Sequence, residues 1–346
     1  MASRSVNLML LLLAVSSTAA AHHSPFLFFD PTNTVEVEGE ITNLRWRNPH
    51  VVFQLQVKDA SGTTQDWTLE THSVSILRRM NLERDSVNVG DAVRVAGWPS
   101  KRGGTELFIT NMLMPDGVEI AFDPGAPPRW ADEAQGDKST WMATADNISG
   151  GEADGIFHVW STSLVGGDGN FLFEGYDFPL TEAASAARAS YDMYSNPILG
   201  TCEYKGMPTI MEQPYPMQFA KSHNRILMHM EEGNIVRVFD MTPGASVAGK
   251  EATALGHSVG RWQDDALIVT TTGSNWPYTD MTGVPNSTTA VYVETFTPST
   301  DGKSLNYSLT ITDPETFAVP PSFSKQWLWV PDATVEPYDC VPEHKE

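Results

Sequence analysis

The chain has 346 residues, 41% of them hydrophobic, and sets 43 acidic against 22 basic residues for a formal charge of −21. That length exceeds the usual span of one core and suggests two domains. So negative a field repels phosphate backbones and anionic lipid surfaces, which excludes nucleic acid and such membranes as expected partners.

The first twenty-one residues read as a cleavable export signal. Arg4 supplies the positive region, Leu8 to Val15 the apolar core, and Ala19-Ala20-Ala21 the small-residue cleavage pattern. The apolar run is too short for a bilayer span, which needs about 20 residues, so a periplasmic or secreted protein with no membrane span after cleavage is expected. Cleavage after Ala21 would leave His22 with a free amine and an imidazole able to chelate one metal ion. Cleavage after Ala20 would place His23 third and His22 second, a pattern that wraps Cu(II) in nitrogen ligands. The plain alternative is a frayed terminus with two solvated histidines.

Strand periodicity starts at once, with Val35, Val37 and Ile41 on one phase and Leu44 and Trp46 on the other. The change of phase predicts a bulge near Thr42 or Asn43. Val51, Phe53, Leu55 and Val57 alternate next and place His50 on the opposite face. Trp67 and Leu69 follow, then a short helix capped by Ser73 with Val74, Leu77 and Met80 at helical spacing. Strands at 92–98 and 106–112 complete a pattern of three strands, a helix and two strands, which predicts an OB-like Greek-key barrel over residues 22–121.

Residues 122–154, rich in Pro, Gly, Ala and acids, read as a linker with some local packing around Trp130 and Trp141. Beyond them, residues 155–346 open with a strand at 156–160 and a helix over 181–194 that Thr181 can cap. Strands are then predicted at 225–231, 235–240, 259–262, 266–271, 290–296, 305–312 and 323–330. Eight or so hairpin-joined strands hide their edges most cheaply by closing up. The fold class is therefore mainly β: the OB-like barrel followed by an antiparallel calycin- or lipocalin-like β-barrel. Cys202 and Cys340 stand 138 positions apart and in no CxxC pattern. They either pair, which is worth roughly 5 kcal/mol by chain entropy, or remain two buried thiols.

His22-His23-Ser24, Trp46-Arg47-Asn48-Pro49-His50, Leu77-Arg78-Arg79 and Gly90-Asp91 together resemble a family of small exported bacterial proteins of unknown function with an OB-like domain. The second half resembles another uncharacterised exported module, through Gly206-Met207-Pro208, Pro214-Tyr215-Pro216, the stretch from Gly256 to Trp262, Asp313-Pro314 and Pro337-Tyr338-Asp339-Cys340. The turn after Trp262 departs from that module, with Gln263-Asp264-Asp265 where Glu-Gly-Asp is usual. The resemblance implies architecture and export, and brings no activity.

A barrel of this size can hold a small apolar or aromatic ligand. Met228, Met230, Trp262, Trp276, Glu294, Lys325 and Trp327 are the candidate lining, although methionines at such spacing also serve as plain core filler. His257, Arg261, Tyr278 and Asp313 are the candidate catalytic residues, with Asp280 nearby in sequence. His257 could act as a base and Arg261 could grip a ligand carboxylate. The bland readings are that Arg261 pairs with an acid such as Glu294, that Asp313 caps a turn, and that Tyr278 packs beside Trp276. A metal site would join His22, His23 and His50, with His72 as a competitor and copper as the implied cofactor. No Walker loop, GxGxxG or HExxH occurs. Three functions follow: an exported small-molecule-binding protein; an enzyme, either a cofactor-free lyase or isomerase or a copper-dependent oxidoreductase; or an accessory subunit docking on an exported protein partner.

Overall fold

The structure is a computed structural model that describes residues 25–58, 61–136, 155–162, 172–173, 175–194, 202, 204–331 and 333–340. The expected signal, His22, His23 and most of the expected linker lie outside the described residues. Two closed β-barrels dominate it, each with its own buried apolar cluster.

The N-terminal barrel is built from β1 (Val35–Arg45), β2 (Val52–Lys58), β3 (Thr64–Glu70), β4 (Ala92–Pro99) and β5 (Glu106–Leu113). A four-residue helix, α1 (Pro25–Phe28), precedes it. The strands run in the order β3-β2-β1-β4-β5, and a parallel pairing of Thr68–Glu70 with Glu106–Phe108 closes the ring. Closure requires sharply coiled strands, and the sequence supplies the devices. The register of β1 shifts between Ile41 and Asn43, where the phase change predicted a bulge. A Cβ at Gly39 would stand 2.4 Å from the Gln56 carbonyl oxygen, so only glycine lets the two backbones approach this closely.

Helix α2 (Val74–Arg79) sits between β3 and β4 and buries Val74, Ile76 and Leu77. Its Ser73 cap accepts the Ile76 N–H at 3.3 Å. Two short strands, β6 (Glu119–Ala121) and β7 (Ala134–Gln135), extend the sheet. β7 lies within the stretch read as a linker and pairs in parallel with β6 through Glu119 with Ala134 and Ile120 with Gln135. The buried Glu119 carboxylate accepts the backbone N–H groups of Arg129, Trp130 and Ala131 at 2.7, 2.8 and 2.9 Å. That anchor folds the Pro-rich stretch back onto the barrel, and sequence periodicity carries no trace of it.

The C-terminal barrel contains β8 (Val159–Ser161), β9 (Met217–Ser222), β10 (Arg225–Met230), β11 (Ile235–Asp240), β12 (His257–Gln263), β13 (Ala266–Thr272), β14 (Val291–Pro298), β15 (Ser304–Thr312) and β16 (Ser322–Trp329). It closes in that cyclic order, β16 meeting β8 and β8 meeting β9. A pure antiparallel meander was expected, and one junction departs from it. β11 and β12 run parallel and pair only through Phe239 with Ser258 and Asp240 with Val259. The reason lies in the connection: residues 241–256 carry the chain back to the end from which β11 started. The predicted helix over 181–194 is also shorter. α3 (Glu182–Ala189) is capped by Thr181 and ends at Ser190, after which Asp192 turns the chain by accepting the Tyr194 N–H at 3.0 Å.

The barrels touch through the end of the chain. Cys202 and Cys340 form a disulfide, with Cα atoms 5.8 Å apart. Beside it the Asn48 N–H donates to the Asp339 carbonyl at 3.2 Å, and Tyr338 and Tyr215 join the apolar cluster of the N-terminal barrel. Arg79 of α2 donates to the Ser161 hydroxyl of β8 at 2.6 Å.

Candidate functional site

The axis of the C-terminal barrel is occupied by side chains. Phe219, Phe296, Tyr307 and Trp327 follow one another with ring centroids 5.4, 5.0 and 4.8 Å apart, and Met228 and Met230 are buried beside them. Within this apolar packing lies one ion pair. Alternation along β11 turns Ile235, Arg237 and Phe239 inward, and the Arg237 fork grips Glu294 of β14 at 2.8 and 2.5 Å. Tyr307 donates to the same carboxylate at 2.9 Å and Thr271 at 3.3 Å. Burial alone would lower the Arg237 pKa, but the adjacent Glu294 outweighs it and holds the guanidinium above its ordinary value. Burial, with Glu294 alongside, pushes the Tyr307 hydroxyl well up, so it stays a donor. One plain reading of the sequence pairs Arg261 with an acid such as Glu294. The structure gives it Arg237 instead, because Arg261 lies on the exposed stretch of β12.

A second set of charges lies against the 3₁₀ turn Thr209–Glu212. Burial lifts the Glu212 carboxyl to about 7 and lowers the Lys325 amine to about 7. Lys325 donates to the carbonyls of Glu212 and Gln213 at 3.3 and 3.4 Å, and Lys205 pairs with Glu232 at 3.0 Å.

Two open spaces flank the parallel junction. Because two residue pairs alone join β11 to β12, the wall parts on either side of them. The larger opening, about 630 Å³, is bounded by the β9–β10 turn, the segment after β11 and the outer half of β12. Phe157, Met241 and Trp262 form its apolar surface, and Trp262 is 45% exposed. Phe157 and Trp262 stand 6.3 Å apart, with the Lys221 amine 4.2 Å from the Phe157 ring centroid. Arg225, Arg261 and His223 complete the rim. The smaller opening, about 330 Å³, holds His257. Its Nε2 lies 2.7 Å from the Glu251 carbonyl, which can only accept, so Nε2 carries the proton and Nδ1 is the basic nitrogen.

The sequence-derived candidates thus fall into separate places. Arg261 and Trp262 meet at the larger cleft and His257 lines the smaller one, while Met228, Met230, Glu294, Lys325 and Trp327 are buried within the barrel. Trp276, Tyr278, Asp280 and Asp313 organise loops. Trp276 donates to Thr209 at 2.8 Å, the Tyr278 carbonyl accepts the Thr209 hydroxyl at 2.9 Å, and Asp280 accepts the Val284 N–H at 3.1 Å. Asp313 accepts the Ser287 N–H and hydroxyl at 2.9 and 2.7 Å. Phe157, Lys221, His223, Arg225 and Met241 did not emerge from periodicity. The run from Lys221 to Arg225, three basic residues within a turn of an acidic chain, was the available signal.

His50 is buried rather than turned to an open face. Its Nδ1 stands 2.9 Å from the Thr71 carbonyl and 2.8 Å from Glu70, and His72 faces Asp123 at 3.1 Å. Among the described residues, no group of three or more His, Cys, Asp or Glu side chains is placed to hold a metal ion. Among them, too, no helix is long and apolar enough to cross a membrane.

Fold and cleft together define a two-barrel β-protein with an aromatic, basic-rimmed opening in its second barrel. A family of unknown function, DUF6152, matches residues 10–108, a span that ends within β5 and before the C-terminal barrel. No curated protein matches the chain. A solved structure of the mitochondrial single-stranded DNA binding protein Rim1 from S. cerevisiae is similar at 12% identity, covering 24% of this chain and 94% of that one. Its TM-score of 0.19 is too low to carry an argument.

Proposed function

We propose that this is an exported small-molecule-binding protein that takes an apolar or aromatic ligand at the seam of its C-terminal barrel. The observation that carries the reading is the cleft of about 630 Å³, a volume suited to one small organic molecule, with a half-exposed tryptophan in its wall. Exposing Trp262 beside Phe157 and Met241 forgoes burial worth about 2 kcal/mol for such a side chain, a loss that a ligand would offset. The strand order of the N-terminal barrel, with a helix between β3 and β4, supports an OB-like assignment. The C-terminal ring supports a calycin-like one with an added parallel junction. The disulfide, together with the pattern of the first twenty-one residues, supports a periplasmic or secreted location.

The test is titration with N-phenyl-1-naphthylamine, a neutral aromatic probe that emits strongly only when desolvated. Saturable emission at one site, weakened at least tenfold by Trp262→Ala, is the expected result. Emission that stays linear with probe concentration overturns the reading.

A second reading, a cofactor-free lyase or isomerase, is favoured by one observation. His257, the base of that reading, lines the smaller opening and donates its Nε2 proton to the Glu251 carbonyl at 2.7 Å, which leaves Nδ1 to accept one. Its test is whether His257→Ala leaves probe binding intact while abolishing any turnover found by screening carbonyl substrates.

A further inference from the structure

The charge of the larger cleft runs against that of the chain. Acidic residues outnumber basic ones by 43 to 22 overall, yet the lining holds Lys221, Arg225 and Arg261, with His223 beside them, and no Asp or Glu. Among the described residues, none of the three cations has a carboxylate oxygen within 4.0 Å. Asp240 stands opposite Arg225 in the strand register. Its carboxylate accepts the Thr242 N–H at 3.0 Å, and after the Thr242 hydrogen bonds the charges of Lys250 and Arg225 help hold it below its ordinary pKa, so Arg225 is partly engaged while Lys221 and Arg261 are not.

Three such cations cost the fold little in water, so their presence alone would mean nothing. Here they ring the same hollow whose wall is Trp262, Phe157 and Met241. An apolar guest without charge would have no use for the rim, and a small inorganic anion would have no use for the aromatic wall. The two features suit one molecule that carries both.

We infer that the guest of this cleft is an aromatic carboxylate, its ring system against Trp262 and its carboxylate held by Arg261 with Lys221 and Arg225. The inference rests on the binding reading above and adds the chemical class. Arg261 suits the head group because a planar guanidinium meets a carboxylate through two parallel hydrogen bonds. The acid-rich remainder of the surface repels anions at long range, so capture depends on contacts made inside the cleft, within about one Debye length of 8 Å.

The experiment is calorimetric titration of the full chain with 2-naphthoate and with its neutral counterpart 2-naphthalenemethanol. The expected result is at least tenfold tighter binding of 2-naphthoate. Arg261→Gln should bring it down to the level of the alcohol while leaving the alcohol unchanged, and Arg225→Gln serves as a second, independent neutralisation. Equal affinity for the two compounds overturns the carboxylate inference and leaves the binding reading standing. Absence of binding by both, together with no saturable N-phenyl-1-naphthylamine site, removes the binding reading and this inference with it.

Discussion

The Met241 sulfur rests directly on the backbone of Gly260: a Cβ at that position would stand 2.5 Å from Sδ. Met241 can form the wall of the cleft only because β12 has no side chain there. Gly260→Ala should push Met241 into the opening, cost about 1–3 kcal/mol through overpacking and weaken N-phenyl-1-naphthylamine binding. Urea unfolding and probe emission, measured on the same variant, check both effects; a variant unchanged in both would show that Met241 moves aside freely.

The Arg237–Glu294 pair predicts a non-additive mutant cycle. Arg237→Met leaves a buried carboxylate without its counter-charge and should destabilise by about 3–5 kcal/mol. Adding Glu294→Met should recover much of that loss, since apolar replacements of a buried pair are often neutral. Denaturant midpoints of the two single variants and the double variant decide it. Additive losses would mean that the pair contributes no coupling.

Burial lifts the Glu231 carboxyl to about 7 from an ordinary 4.5, against hydrogen bonds from Ser75 and the Glu336 N–H. A raised carboxyl pKa means that the folded chain holds this proton more tightly than the unfolded one. Its stabilising contribution is therefore complete below about pH 4.5 and is lost as the pH climbs through about 7. Between about pH 5 and about pH 8 the native protein should lose on the order of 2–3 kcal/mol relative to Glu231→Gln. Because Glu212 titrates with the same sign in both proteins, the difference between their unfolding curves isolates Glu231.

Loss of the disulfide should act on the joint between the barrels. Cys340→Ser frees the segment that carries Tyr338 onto the N-terminal barrel, with an expected cost of about 2–5 kcal/mol. Limited proteolysis should then cut within residues 333–340 before either barrel is attacked. Cleavage that begins in the barrels instead would place the weak point elsewhere.

Where neighbours in the sequence determine the outcome, the fold was legible. The bulge in β1 follows from the phase break between Ile41 and Leu44, and the Ser73 cap from a polar residue ahead of Val74, Leu77 and Met80. Both barrels follow from strand periods and turn residues. What escaped depends on contacts that no period encodes. The parallel closures of β3 on β5 and β11 on β12 join segments whose pairing is fixed by connection paths. Arg237 could be read as inward-facing from Ile235 and Phe239, but nothing local says that its partner is Glu294. The cleft was half legible: Arg261 and Trp262 stood out, whereas Lys221, His223 and Arg225 sit in a tight turn whose charge became meaningful only once Phe157 was beside it.

The clasp between Cys340 and Asn48 also sets an order of events. Residue 48 precedes residue 340 by almost three hundred positions, so β1 to β5 can close before Tyr338 and Asp339 reach them. Throughout that interval the patch they will cover is bare, and whatever attends the newborn chain meets it uncovered. Joining the two halves through residues 338–340 thus comes after the first barrel can close.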